Sequence, residues 1–125
     1  MRGYTIRRVD ELASIGGGTV KLAGDGLGIE TFGLQVLDLP PGFGEYPEHD
    51  HAHDRQEEVY VVLAGSATFE VAGATEQAEA GTLLRVDADA RRKLVAGPAG
   101  ARVLAIGCAP GSYERPDAFR AAVRA

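Results

Sequence analysis

His49-Asp50-His51-Ala52-His53-Asp54-Arg55-Gln56-Glu57-Glu58 runs without a break into Val59-Tyr60-Val61-Val62-Leu63-Ala64-Gly65. The first segment holds all three histidines of the chain. The second is a run of β-branched and aromatic residues that reads as strand. Alternate positions on an extended chain point to the same side, so His49, His51 and His53 can converge on one point. Imidazole and carboxylate are donor types that hold Fe, Mn, Ni, Zn and Cu ions. Glu58 opens the strand and offers an oxygen ligand, with Glu57 and Gln56 competing for that place. Glu57 and Glu58 cannot both face inward on one strand. Glu58 is the inner candidate, which puts Tyr60 and Val62 on the same face, where they line an interior and where Tyr60 is a candidate ligand contact.

Outward from this segment, the chain reads as short strands broken by glycine. Leu27 to Leu39 alternates loosely and stops at Pro40-Pro41-Gly42, because proline cannot donate to a ladder. Glu58 to Leu63 and Ser66 to Val71 form two strands with Ala64-Gly65 as a hairpin signal between them. Thr82 to Val86, Arg92 to Val95 and Arg102 to Ile106 add three more. Strands at this spacing predict an all-β sandwich or barrel. Only Pro116 to Ala125 reads as helix, with proline in the first turn and Ala118, Ala121 and Ala122 as helix formers; it is expected to cap one edge or end. Gly16-Gly17-Gly18 and Gly24-Asp25-Gly26-Leu27-Gly28 are turns and not phosphate loops, since no helical period follows them.

Composition narrows the function. A chain of 125 residues fits one domain, residues 1–125, able to bury a core without staples. It is 45% hydrophobic and has no apolar run long enough to span a bilayer. Thirteen basic against 18 acidic side chains give a net charge of −5, which opposes binding to nucleic acid or anionic lipid. Met1 to Arg8 lacks the apolar core of a signal peptide, so a cytoplasmic location is expected. Cys108 is the single cysteine, which excludes an internal disulfide and reads as an inert, partly buried thiol. With every histidine in one cluster, nucleophilic catalysis by Cys108 or a serine has little support.

The histidine segment resembles the first motif of the cupins: a glycine, a His-x-His pair, a glutamate after three or four residues, and a glycine after six more. His51-x-His53, Glu58 and Gly65 satisfy it, with Gly44 one place too early for the leading glycine. A second register takes His49-x-His51 as the pair, with Ala52 to Glu57 as a longer loop. The resemblance runs from Leu39-Pro40-Pro41-Gly42 to Gly107. It implies a double-stranded β-helix, a cupin or jelly-roll barrel of one domain, with a divalent-metal site inside.

The second cupin motif departs from the family. Gly81 is present, but Asp87-Ala88-Asp89 stands for the usual Pro-x-Gly, Arg92 falls at the position of the fourth ligand histidine, and Ala96 replaces an asparagine. Arginine has no lone pair to give a metal. Either three protein ligands and water hold the ion, or the spare histidine moves in, or no metal binds. If strand alternation sends Arg92 inward it needs an anion, either Glu58 or a ligand carboxylate, because an unpaired buried charge is costly. Arg92 is therefore a candidate ligand-binding residue. Arg85 and Arg102 are expected at the surface. Two functions follow: a metal-dependent enzyme acting on a small, carboxylate-bearing molecule, or a noncatalytic domain that binds or senses a small molecule without metal. Cupins commonly pair barrels, and an exposed edge strand invites pairing, so a homodimer is expected.

Overall fold

A computed structural model describes residues 2–123. After a single 3₁₀ turn at Val9–Glu11, the elements are β1 (Ser14–Ile15), β2 (Val20–Lys21), α1 (Ala23–Leu27), β3 (Gly33–Leu39), β4 (Glu57–Val71), β5 (Ala74–Glu79), β6 (Leu83–Val86), β7 (Arg92–Cys108) and α2 (Asp117–Ala122). All strand pairings are antiparallel, in the order β1-β2-β3-β7-β4-β5, with β6 on the free side of β4.

Two long strands make the barrel. β4 and β7 pair from Glu57↔Cys108 to Val71↔Arg92, with register shifts on either side of Gly65. The Ala64-Gly65 signal is therefore not a hairpin: Glu58–Leu63 and Ser66–Val71 are halves of one bent strand. Arg92–Val95 and Arg102–Ile106 are likewise halves of β7. The first half of β4 pairs with β6 and the second half with β5, so the bend carries the chain from one face of the barrel to the other. Glycine is required at the bend. Gly65 has φ +71°, and a Cβ there would lie 2.0 Å from the Gly100 carbonyl oxygen.

Glu58, Tyr60, Val62, Ala67 and Phe69 face inward from β4 and meet Leu37, Leu39, Leu94 and Val103 in the core. Tyr60 and Phe69 touch ring to ring at 5.4 Å between centroids. This interdigitated interior is what an antiparallel sheet folded on itself provides. Strand β5 was absent from the sequence reading: it carries Glu76 and Glu79 and buries only Ala78, so it shows little apolar alternation.

Helices depart from expectation in two places. Gly24 to Gly28, expected as a turn, falls in a five-residue helix, Ala23–Leu27, closed by Gly28 at φ +75°. At the C-terminus α2 forms, but it buries none of its residues and so covers no edge; Arg124 and Ala125 lie outside the described residues. Cys108 is half-buried, with its thiol on the Thr31 carbonyl oxygen at 3.3 Å.

Candidate metal centre

The site sits where the loop before β4 crosses the start of β7. His49 and Arg92 form an isolated antiparallel bridge, His49 N–H donating to the Arg92 carbonyl at 3.0 Å and Arg92 N–H to the His49 carbonyl at 2.9 Å. His51 N–H donates to the Ala88 carbonyl at 2.8 Å. These bonds hold the chain extended through His51, so His49 and His51 face the same way. At Ala52 the chain turns: Ala52 N–H donates to Asp50 Oδ1, Arg55 N–H donates to the His51 carbonyl, and Arg55 adopts φ +62°.

His49, His51 and Glu58 come together, with one donor atom from each within 4.8 Å of the others. The turn sends His53 outward, where its side chain is 77% exposed and its Nε2 lies 3.5 Å from Asp54. The pair brought to Glu58 is therefore His49-x-His51, the register with the longer loop. Glu57 is exposed and bridges to Arg85 at 3.0 Å.

Each imidazole is fixed through Nδ1 and presents Nε2. His49 Nδ1 is 2.9 Å from the Pro47 carbonyl oxygen, and His51 Nδ1 is 3.0 Å from Asp54 Oδ1. Both acceptors require Nδ1 to carry a proton, so in the neutral ring Nε2 keeps its lone pair. The two Nε2 atoms lie 3.7 Å and 3.4 Å from Glu58 Oε1. His51 Nε2 is buried and has no hydrogen-bond partner among the described residues. An orphaned lone pair beside a second imidazole and a carboxylate fits a transition-metal site.

Glu58 is held from behind. Tyr60 donates its hydroxyl to Oε1 at 2.6 Å, and Arg92 Nη1 donates to the same oxygen at 3.2 Å. Arg92 is 1% exposed and spends Nη2 on the Asp87 carbonyl at 2.8 Å. Burial pushes the Glu58 carboxyl up, but the His49 imidazole, the Tyr60 hydroxyl and the neighbouring His51 and Arg92 outweigh it and hold the pKa below the usual value. The carboxylate in turn raises the His49 pKa. Burial, with the Glu58 charge adding, drives the Tyr46 phenol up to about 12 and Tyr60 further still, so both stay protonated.

In front of the cluster opens a cavity of about 430 Å³. Strand register explains it. Gly33, Gly107 and Glu58 lie in one row across β3, β7 and β4, and Gln35, Ala105 and Tyr60 in the next. The small residues of β7 leave the floor open. His49, His51 and Glu58 reach the cavity from one side and Tyr46, Gln35 and Gln56 from others, with Ile15 and Val20 as apolar wall. Arg92 and Tyr60 lie behind Glu58 and do not line it. Sequence reasoning did not single out Gln35, Tyr46 or Asp54, or the small β7 positions; the Ala101, Val103, Ala105, Gly107 alternation was the available signal for the last.

An antiparallel barrel of two bent strands, with imidazoles and a carboxylate presented inside its wall, is the double-stranded β-helix class. The chain belongs to the cupin family: the sequence profile of the Cupin domain matches residues 35–107. A search of curated proteins returns no sequence match. Among solved structures, a cupin protein from Bacteroides fragilis is similar at 25% identity, covering 94% of each chain with a TM-score of 0.78. A sugar phosphate isomerase of the cupin superfamily from Silicibacter pomeroyi is 20% identical, over 83% of this chain and 75% of that one, with a TM-score of 0.69. A putative sugar phosphate isomerase from Acidithiobacillus ferrooxidans is 23% identical, over 70% of this chain and 56% of that one, with a TM-score of 0.62. No described helix is long and apolar enough to cross a membrane.

Proposed function

We propose that His49, His51 and Glu58 hold a divalent transition metal, and that the adjoining cavity binds a small, carboxylate-bearing molecule on which the site acts. The observation that carries this is His51: Nδ1 is anchored on Asp54, while Nε2 is buried, unpaired and aimed at Glu58 and His49. Three protein ligands leave positions for water and substrate, which a closed structural site does not. A bound ion of this type polarises a carbonyl or lowers the pKa of water. The protein's part is positional: Asp54 and the Pro47 carbonyl orient the imidazoles, and Arg92 and Tyr60 keep Glu58 ionised. A second copy of the chain is the proposed partner, since β6 is an edge strand that exposes Leu83.

Metal analysis of untagged protein, with thermal shifts on adding Fe, Mn, Ni, Zn or Cu, tests the centre. Stoichiometric metal or a clear upward shift is expected, lost in His51→Ala. No metal and no shift with any ion refutes it. One observation favours a second reading, a noncatalytic binder without metal: Arg92 already gives Glu58 a cation at 3.2 Å. A copurifying organic ligand in metal-free protein, with no turnover of small carboxylic or keto acids under any metal, would decide for that reading.

A further inference from the structure

The outer face of the barrel differs between its two halves. Around the second half of β4 the outward positions hold Thr68, Glu70, Thr75, Gln77, Glu79 and Lys93, with Val95 as the apolar exception, which suits a solvated antiparallel face. Around the first half they are apolar. Val61 stands opposite Leu83 of β6 and Leu104 of β7, and Leu104 opposite Val36 of β3. Val59 stands opposite Ile106, and Ile106 opposite Leu34. Leu83 is 70% exposed and Leu63 49%. β6 borders this face and pairs only with β4 among the described strands, so its other side is free. A second unpartnered piece lies at the N-terminus. Residues 2–8 are exposed, apart from Met1, which lies outside the described residues, and residues 2–7 make no backbone hydrogen bond to another element among the described residues. Tyr4 and Ile6 are 63% and 74% exposed. Tyr4-Thr5-Ile6 is a run of strand formers with apolar side chains at alternate positions.

We propose that the arm of residues 2–8 from one copy of the chain lies along the free side of β6 in a second copy, and that the second copy's arm does the same in return. This rests on the reading of a second copy as the partner at β6 and deepens it by naming the segment that binds. A strand edge offers unpaired N–H and C=O groups, and an arm of strand-forming residues with no strand beside it satisfies them by β-addition. Alternate side chains of the added arm fall on the side of Leu83, so Tyr4 and Ile6 prolong the apolar row of Leu83, Val61 and Leu104. Charge favours this chain's own arm as the occupant. The arm carries Arg2, Arg7 and Arg8 and no acid, in a chain of net charge −5. Beyond the end of β6 a cleft is lined by Glu57, Asp87, Asp89 and Arg55. Arg85 pairs with Glu57 and Asp87, and Arg55 with Asp89, which leaves the carboxylates in excess over the guanidiniums. Edge strand β5 is also acidic, but Thr75, Gln77 and Glu79 on its outward side give Tyr4 and Ile6 no apolar row to join. Because each copy gives one arm and receives one, the contact is two-fold and closes as a dimer.

Sedimentation equilibrium of the untagged full chain, of Ile6→Asp, of Leu83→Lys and of the double variant tests the exchange. Both positions are exposed, so the variants should keep the parent's amide dispersion by NMR. The parent should be a dimer, and each single variant should weaken it at least about tenfold. The double variant places an acid on the arm and a base on β6, and should recover part of the loss because the two charges meet across the interface. A nitroxide on Thr5→Cys in a Cys108→Ser background, mixed with ¹⁵N-labelled parent, should broaden the amides of Leu83–Val86 in the labelled copy. A monomeric parent refutes the second copy as partner, and the arm exchange with it. A dimer broken by Leu83→Lys and untouched by Ile6→Asp shows pairing at β6 without the arm. A dimer broken by Ile6→Asp and untouched by Leu83→Lys, with broadening at Ala74–Glu79, places the arm on β5. A dimer that neither variant weakens uses another surface. Each of these three overturns the arm on β6 while a second copy remains the partner, as does a double variant with no recovery or a nitroxide that leaves Leu83–Val86 sharp.

Discussion

Replacing Arg92 by methionine tests the arrangement behind Glu58. Methionine keeps most of the stem and its packing and removes the charge. The guanidinium is 3.2 Å from Glu58 Oε1 and 1% exposed. At an effective dielectric near 20 that separation corresponds to about 5 kcal/mol of attraction, and breaking a buried pair from one side costs about 3–5 kcal/mol. Tyr60 still donates to Glu58 and the two imidazoles still face it, so the lower end, about 3 kcal/mol, is expected. For a domain of this length that is a fall in Tm of about 12 °C. An ion at His49, His51 and Glu58 supplies the positive charge that the substitution removes. Zinc should therefore raise the Tm of Arg92→Met by several degrees more than that of the parent. Calorimetry with and without zinc measures both, and Glu58→Gln in the Arg92→Met background should recover part of the loss, since no unpaired charge then remains. An unchanged Tm in metal-free Arg92→Met, or equal zinc shifts in the two proteins, would refute the coupling.

Three further outcomes are expected. Tyr60→Phe removes the 2.6 Å hydrogen bond to Glu58 and should cost about 1–2 kcal/mol, with a rise in the Glu58 pKa visible by carboxyl ¹³C NMR; a silent substitution would mean that Arg92 alone fixes the carboxylate. Gly65→Ala drives a Cβ to 2.0 Å from the Gly100 carbonyl at positive φ and should cost at least about 3 kcal/mol in denaturant melts, whereas Gly73→Ala, with positive φ in open space, should cost about 1 kcal/mol; equal costs would show that the bend is not what requires Gly65. Asp38 is held below its usual pKa by the Arg102 guanidinium, bonded twice at 2.8 Å. Because the folded pKa is the lower one, its contribution is complete above the unfolded value near 3.9 and is lost as pH falls through the folded value. Asp38→Asn should therefore flatten the acid end of the stability curve, and an unaltered slope below pH 4 would count against this.

The barrel was legible in the sequence because its inward positions alternate. Glu58, Tyr60 and Val62, then Ala67 and Phe69, carry a period of two that survives the bend at Gly65 with a shifted phase. That shift also made one strand look like two. A glycine with positive φ between apolar runs reads the same whether the chain reverses or only bends, and the difference is set by Gly100, 35 places on, which no local signal reports. Strand β5 stayed hidden for a related reason, being an edge segment with a single buried residue and almost no pattern.

For the site, residue type was informative and alternation was not. Extended spacing brings His49 and His51 to one side because each is tied into backbone pairing, with Arg92 and Ala88 respectively. His53 has the same spacing and the opposite fate, because Asp50 accepts the Ala52 N–H and starts the turn one residue earlier. The aspartates flanking the histidines were the overlooked cue: Asp50 turns the chain, and Asp54 fixes both His51 and Gln56. The same reasoning bears on Arg92. A cation at a position where the family places a histidine leaves the Glu58 charge satisfied within the protein, so an added divalent ion brings excess positive charge into a half-buried site. A ligand carboxylate on the cavity side offsets that excess, and metal and anionic ligand should then strengthen each other's binding by the same factor.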